Sequence, residues 1–466
     1  MSQKNILIFI TDQLTWRALP CYGGEYARTP NIDSISEDSV MFDRCYTPCP
    51  LCQPARASFW SGRYPHEIDV LSNGRNWPVS PVPHDVPTLG ETFKKAGYNT
   101  YHFGKRHDSD ALRGFDCAPE LEIEIPNENE AFPFNSDTYR DVYTTEKSVE
   151  FLNNYDFEKP LLMVSDFINP HNICRWVGDN AGVHEDKDGG YELPPLPENF
   201  DFDDIENRPK AVQYICCTHI RQAQTSGWTP KNYQNYLSAY YYYLEMVDKQ
   251  IGQILDALKK RNKEDETLVI FMSDHGDSMV ARGRVTKQVD FYEEVSRVPF
   301  IFKGKDLASK GKHIDDLASL LDLYPTLCGY AGIEIPKGLR GRDLSDLLFD
   351  KKIPKREFVA SEWHTEWGYT VSPGRMIRND RFKYTYYIED KGEELYDLAQ
   401  DPYEKVNLAK NPQYIRELNN MRKLLSKHLE ETKDNFMELS WKADEKWRTH
   451  KLGYQNHEGI AAPQEK

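Results

Sequence analysis

Ile6-Leu7-Ile8-Phe9-Ile10-Thr11-Asp12-Gln13 decides how the chain is read: a short apolar run stops abruptly on polar, chemically able side chains. The same join recurs three times. Residues 98–103 run into Gly104-Lys105-Arg106-His107, residues 161–167 into Asn169-Pro170-His171, and residues 267–272 into Ser273-Asp274-His275-Gly276. Short β-rich runs bounded by Gly, Pro or Asp read as buried strands. Between them, residues 88–96 ahead of Gly97 read as a helix with a glycine stop. Residues 236–258 carry Leu244, Val247, Ile251, Ile254 and Leu258 at three- and four-residue intervals, the mark of an amphipathic helix. Alternating strands and helices predict an α/β fold with a large, mainly parallel central sheet flanked by helices. Ligands in such sheets sit beyond the carboxyl ends of the strands. The four clusters are therefore expected on one rim.

The rest of the chain is organised around that sheet. Residues 172–231 are rich in Asp, Glu, Pro and Gly and read as long loops on the same rim, a specificity lid. After Gly341 the character changes. Residues 358–363, 376–377, 382–388 and 394–398 read as short strands of a small antiparallel sheet, and 411–433 as a closing helix before a polar tail. The expected division is a catalytic α/β domain over 1–350 and a C-terminal subdomain over 351–466.

Composition narrows the function. A net charge of −16 argues against a nucleic-acid partner, yet a local pocket can oppose the global field and take a small anion. Nine cysteines, an odd number without repeating spacing, argue against a disulfide scaffold. The first apolar run, residues 6–10, is too short for a signal-peptide core or a membrane span. A cytoplasmic protein with no membrane partner is expected, or a periplasmic or secreted one if a leader has been trimmed. Oligomeric state is not legible.

The segment richest in chemistry is Cys52-Gln53-Pro54-Ala55-Arg56, followed by four residues and then Ser61-Gly62. It resembles the signature of the formylglycine sulfatases, a branch of the alkaline-phosphatase superfamily, and the choline-sulfatase and arylsulfatase members in particular. The resemblance implies a sulfuric ester hydrolase whose Cys52 is oxidised to formylglycine by a separate maturation enzyme. A thiol would leave a thiosulfate-like adduct that is hard to clear. An aldehyde hydrate has two hydroxyls, one to attack sulfur and one whose deprotonation expels sulfate. The helix after Cys52 would turn its amides toward the anion. Arg56, one turn on, would face the same way and neutralise charge.

The resemblance also assigns the remaining site. Asp12 and Gln13 match the first metal-ligand pair and Asp274 and His275 the second, with Cys52 as a further ligand position. The family more often has Asp-Asp and Asp-Asn at those two places. Oxygen ligands suit a hard divalent ion, so calcium is implied, with manganese the alternative that a histidine favours. Lys105 and His107 match a Gly-Lys-x-His motif in which the histidine removes the proton that releases sulfate. His171 matches the histidine that protonates the leaving oxygen, and Lys287 a second active-site lysine. Asn73 resembles an extra polar contact. For the alcohol, Arg175, Trp176 and His364, with Trp363, Glu366 and Trp367 nearby, offer aromatic and polar groups that suit a sugar ring.

Two other readings compete. A phosphonate monoester or phosphodiester hydrolase shares the fold and the Asp-Gln and Asp-His pairs, but tends to lack the Gly-Lys-x-His pair found at Lys105 and His107. Cys45, Cys49 and Cys52 have the spacing of a radical SAM iron–sulfur motif. That reading leaves Asp12, Lys105, His107, Asp274 and His275 unexplained. The reading carried forward is hydrolysis of a small-molecule or glycan sulfate ester, with a sulfated carbohydrate first, and choline sulfate or an aryl sulfate next.

Overall fold

A computed structural model describes residues 4–74, 79–119, 136–180, 193–201, 205–217, 224–287, 290–364 and 372–439. Its central sheet has nine strands: β1 (Asn5–Asp12), β2 (Val40–Tyr46), β3 (Asn99–Gly104), β4 (Asp116–Cys117), β5 (Leu161–Pro170), β6 (Thr267–Ser273), β7 (Arg297–Val298), β8 (Phe300–Lys303) and β9 (Lys312–Ser319). Their order is β4-β3-β5-β1-β6-β8-β2-β7, with β9 paired to β2. The run from β4 to β6 is parallel throughout. Antiparallel pairing enters only at β8, which meets both β6 and β2, and at β7 against β2.

The centre of the sheet explains the opening stretch of sequence. Every residue of β1 is buried. Ile6, Ile8 and Ile10 join the apolar cluster on one face, and Leu7 and Phe9 the cluster on the other. A strand covered on both faces needs a continuous apolar run rather than an alternating one. Each such side chain contributes about 1.5–3 kcal/mol when buried. That apolar frame is what can hold charged groups out of water at the strand's end.

The long helix spans Pro230–Lys260, six residues earlier than the apolar repeat suggests. Thr229 and Asn232 form its capping box, and Pro230 takes the first turn, where a missing N–H costs nothing. Tyr233, Tyr236, Leu237, Tyr240 and Leu244 continue the buried stripe onto the Leu7 and Phe9 face. Helix Ser136–Asn154 lies on that face too, through Val149 and Leu152.

Within 172–231, where 181–192, 202–204 and 218–223 lie outside the described residues, two described segments depart from the loop reading. Helices occupy Ile173–Asp179 and Lys210–Cys217. Their apolar anchors are few, Ile173 and Val177 in one and Val212 and Ile215 in the other, and a polar-rich setting hides so short a repeat.

The second sheet is an antiparallel meander of β10 (Val359–Trp363), β11 (Gly374–Arg378), β12 (Phe382–Tyr387) and β13 (Gly392–Asp397). Helix Ile415–Thr432 packs Leu418, Met421 and Leu425 on one face, against Ile377, Tyr384 and Leu395. Val359, Met376 and Tyr396 on the other face join Tyr46, Leu51 and Phe291. The small sheet is thus clamped between its helix and the segment leading to Cys52. Among the described residues no helix is long and apolar enough to cross a membrane. The polar tail, 440–466, lies outside the described residues.

Candidate active site

Neighbouring parallel strands β3, β5, β1 and β6 all end on one edge, and that edge carries Lys105, His171, Asp12 and Asp274. Gly104 makes the approach possible: its φ is +98°, and a Cβ there would collide with the Asp166 carbonyl. Lys105 then donates its backbone N–H to that carbonyl at 3.0 Å and its ammonium to Asp12 Oδ2.

Cys52 opens the helix Cys52–Ser61 and is buried. Three polar side chains surround its Sγ. Lys287 Nζ donates to it at 2.8 Å, His275 Nε2 lies at 3.2 Å and Asp12 Oδ1 at 3.7 Å. Burial and the Asp12 charge raise the thiol's pKa, but Lys105, Lys287 and His275 override them and hold it well below the ordinary thiol range. A nucleophilic position fixed among cations is the arrangement acyl- and sulfuryl-type transfers require.

Asp12, Cys52, Asp274 and His275 each offer one ligand atom, and those atoms lie within 4.8 Å of one another in full burial. His275 Nδ1 is 2.9 Å from the Gly276 carbonyl, so that nitrogen carries a proton and Nε2 is the ring nitrogen that faces the group. Two carboxylates and one imidazole fit a divalent cation. Asp12 is held well below the usual carboxylate range: burial opposes this, and Lys105, His171, Lys287 and Arg56 outweigh it. Burial and the Asp12 charge push Asp274 up to about 7.

The family model described as Sulfatase matches residues 4–333, and that of the N-sulphoglucosamine sulphohydrolase C-terminal region matches 285–434. The chain belongs to the sulfatase family. It is 43% identical over 463 residues to the Delta 4,5-hexuronate-2-O-sulfatase of Bacteroides thetaiotaomicron, covering 99% of this chain and 96% of that one. It superposes on the structure of a 2-O GAG sulfatase with a TM-score of 0.93 at 42% identity, covering 99% of both chains. The phosphonate monoester hydrolase of Agrobacterium radiobacter, at 22% identity and a TM-score of 0.77 over 92% of this chain and 96% of that one, shares the fold. The sulfatase is a sulfuric ester hydrolase with a mostly parallel, alkaline-phosphatase-like sheet.

Within the sulfatase, Arg56 does not offer itself to an anion. Its Nε donates to Asp274 at 3.0 Å, one terminal nitrogen to Asp12 at 3.1 Å and the other to Asp166 at 2.5 Å. The guanidinium is therefore a buried tie between three carboxylates. Asp166 was not singled out in the sequence, although a charged residue inside the apolar run 161–167 was a signal for it. The first helical amides are also partly engaged: Gln53 N–H donates to Asn73 Oδ1 at 3.1 Å. Asn73 thus caps the Cys52 helix.

Gln13 has left-handed backbone, φ 69°, and its N–H donates to Asp274 Oδ1 at 3.1 Å. Its side-chain amide donates to Asp277 at 2.7 Å and accepts from Cys174 Sγ at 3.3 Å. Tyr240 donates to the Gln13 carbonyl at 2.7 Å. Tyr236 donates to Asp277 at 2.8 Å and accepts the Thr286 N–H at 2.7 Å, which sets the turn before Lys287. Both tyrosines come from one stripe of the long helix, four residues apart, so that helix braces both sides of the site.

His171 is pushed down to about 4, by burial first and then by Lys287, so its ring is neutral near pH 7 in the free protein. His107 is half-buried with φ 47°. It lines a cavity of about 400 Å³ together with Lys105 and His171.

The proposed sugar contacts fare differently. Trp363 is fully buried, and Trp176 packs edge-on against Trp228 and Tyr236, with ring centroids 5.9 and 6.1 Å away. Trp363 is a core aromatic, and Trp176 is half-buried against the core. Arg175 pairs with Asp179 at 3.5 Å along its own helix. His364 is pushed down to about 4 by burial and by Arg375, with Asp434 and Glu362 opposing the shift. Glu366 and Trp367 lie outside the described residues. Cys45 and Cys49 are buried with thiols pushed well up by burial, and neither belongs to the ligand group around Cys52.

Proposed function

We propose that this sulfatase removes the 2-O-sulfate of a hexuronate in a glycosaminoglycan-derived fragment, using a formylglycine matured from Cys52 and one divalent cation. The observation that carries the reading is a continuity. Lys105 touches Asp12 in the buried cluster, and Lys105 and His171 also line the cavity of about 400 Å³. A cavity of that size suits one sugar residue. The 43% identity across nearly all of both chains supports a uronate sulfate as that residue.

Formylglycine supplies an oxygen nucleophile that can release sulfate, and a cation held by Asp12, Asp274 and His275 beside Gln13 supplies Lewis acidity. Calcium is the ion we propose, with manganese as the alternative that His275 favours. The chain's own residues do the rest. Lys287 and Lys105 neutralise charge at the reacting position. Arg56 fixes the Asp12 and Asp274 carboxylates. His171 is neutral before the dianionic ester enters and is placed to exchange a proton with the leaving oxygen, while His107 stands at the cavity side as a base.

The test is a panel of hexuronate 2-sulfate, glucosamine 6-sulfate, an aryl sulfate and a phosphodiester, assayed on protein whose maturation by a formylglycine-generating enzyme has been verified by intact mass. The uronate sulfate is expected to have the highest kcat/KM, and Cys52→Ala to abolish its turnover. A higher kcat/KM on any other member overturns the substrate. Undiminished activity in Cys52→Ala overturns the nucleophile.

A further inference from the structure

The loop that ends on Lys287 is strained. Met279, Val280, Arg282 and Thr286 all have left-handed backbone, with φ of 48°, 56°, 58° and 60°. Val280 and Thr286 are β-branched, the side chains least suited to that region. Thr286 immediately precedes Lys287, whose Nζ donates to Cys52 Sγ at 2.8 Å. Such backbone persists only where its surroundings over-determine it. Relaxation of Thr286 to the ordinary negative-φ region would re-aim the chain that carries Lys287.

Both backbone groups of Thr286 are pinned. Its N–H donates to the Tyr236 hydroxyl at 2.7 Å, and its carbonyl accepts the Ser278 N–H at 3.0 Å. Tyr236 has one proton to give. That proton goes to Asp277, whose two carboxylate oxygens both lie 2.8 Å away. Asp277 also accepts the Met279 N–H at 2.8 Å, where the left-handed run begins, and the Gln13 amide at 2.7 Å. Asp277, Tyr236 and Thr286 are all buried, so bulk water does not replace a lost partner. We infer that Asp277 is a positioning residue for sulfate-ester hydrolysis: through the Tyr236 hydroxyl it holds Thr286 left-handed and so keeps Lys287 on Cys52; this rests on the charge-neutralising role given to Lys287 above. The carboxylate belongs neither to the buried ligand group nor to the cavity lining. What it supplies is direction. An asparagine there would turn a donor toward Tyr236 or Gln13 and break the one-way chain from Thr286 to the carboxylate.

The experiment is a double-mutant cycle on matured holoenzyme, using the panel member that wild type turns over fastest. Rates are referred to metal-loaded protein by elemental analysis, so misfolded or metal-free material does not count. Tyr236→Phe keeps the ring and deletes the hydroxyl; Asp277→Asn keeps the shape and reverses the polarity. Each is expected to lower kcat/KM about tenfold, the effect of one lost charge-assisted hydrogen bond. In the Lys287→Met background Tyr236→Phe should cost less than about twofold, because the residue it positions is gone. Thr286→Gly should recover about threefold or more of the Tyr236→Phe loss, since glycine holds a φ near 60° without strain. A packing role for Tyr236 gives neither result. Wild-type rates in Asp277→Asn overturn the positioning role, and so does a tenfold Tyr236→Phe loss that survives in the Lys287→Met background. No recovery with Thr286→Gly overturns the strained-backbone link. Wild-type activity in Lys287→Met overturns the role of Lys287 itself and the positioning role with it. Where Tyr236→Phe does not fold, Asp277→Asn takes its place in the cycle.

Discussion

Lys287 Nζ donates to Cys52 Sγ across 2.8 Å, although the two residues stand 235 positions apart in the chain. The contact joins the turn set by Tyr236 to the first residue of the Cys52 helix, so the lysine's position is dictated from the far side of the sheet. Lys287→Met removes the charge and keeps most of the volume. Loss of one such preorganised donor is expected to lower kcat by about 10²–10³-fold. A loss smaller than threefold in steady-state kinetics would assign charge neutralisation to Lys105 alone.

Metal content and rate should fall together. Asp12→Ala or Asp274→Ala deletes one of the two carboxylates in the buried ligand group. Each variant is expected to bind less than half the divalent metal of wild type after dialysis, and to lose activity in proportion. Elemental analysis beside rate measurements checks this. Full metal content in both variants would move the ion elsewhere.

Asp166 is expected to matter for stability without touching the substrate. It accepts from Arg56 at 2.5 Å, and both side chains are fully buried. Asp166→Asn leaves the volume but weakens the partner of a buried cation, a change that costs about 3 kcal/mol when a buried pair is broken. Urea unfolding measures it. A midpoint equal to wild type would show that Asp12 and Asp274 suffice for Arg56.

A pH-dependent element lies away from the site. His66 Nδ1 is 2.7 Å from Glu362, and the ring is raised to about 9: burial opposes the shift, and the Glu362 charge outweighs it. The folded value exceeds the unfolded one. The stabilisation is therefore complete below about pH 6.5 and is lost as pH rises through about 9. It is worth on the order of 2 kcal/mol at pH 7. Between pH 7 and pH 10, wild type should lose about that much more unfolding free energy than His66→Gln. Parallel pH profiles would remove the role of the pair.

Much of this was readable before the fold was known. Four apolar runs ending on polar clusters located the strands and the rim, because a strand buried on both faces must be apolar until it emerges. The meander and its helix were legible as well, since alternation and a three–four repeat are local properties. The helices Ile173–Asp179 and Lys210–Cys217 were not, being too short for their repeat to stand out. The long helix was found, but its tyrosines were not seen as braces for Gln13 and Lys287. A hydroxyl at the end of an aromatic ring reads as core until its partner is known.

The sequence by itself determined the chemistry available: Cys52 and Arg56 in one motif, Asp12 and Asp274 at strand ends, Lys105 and Lys287 as cations. The order β3-β5-β1-β6, which no single segment encodes, decided which of these meet. It turned Arg56 from an expected anion contact into the tie between Asp12, Asp166 and Asp274. It buried Trp363. Periodicity and strand ends are written locally. The surroundings of a side chain depend on which distant strands pack beside it, and that is settled only when the two faces of the sheet bury their apolar surfaces together.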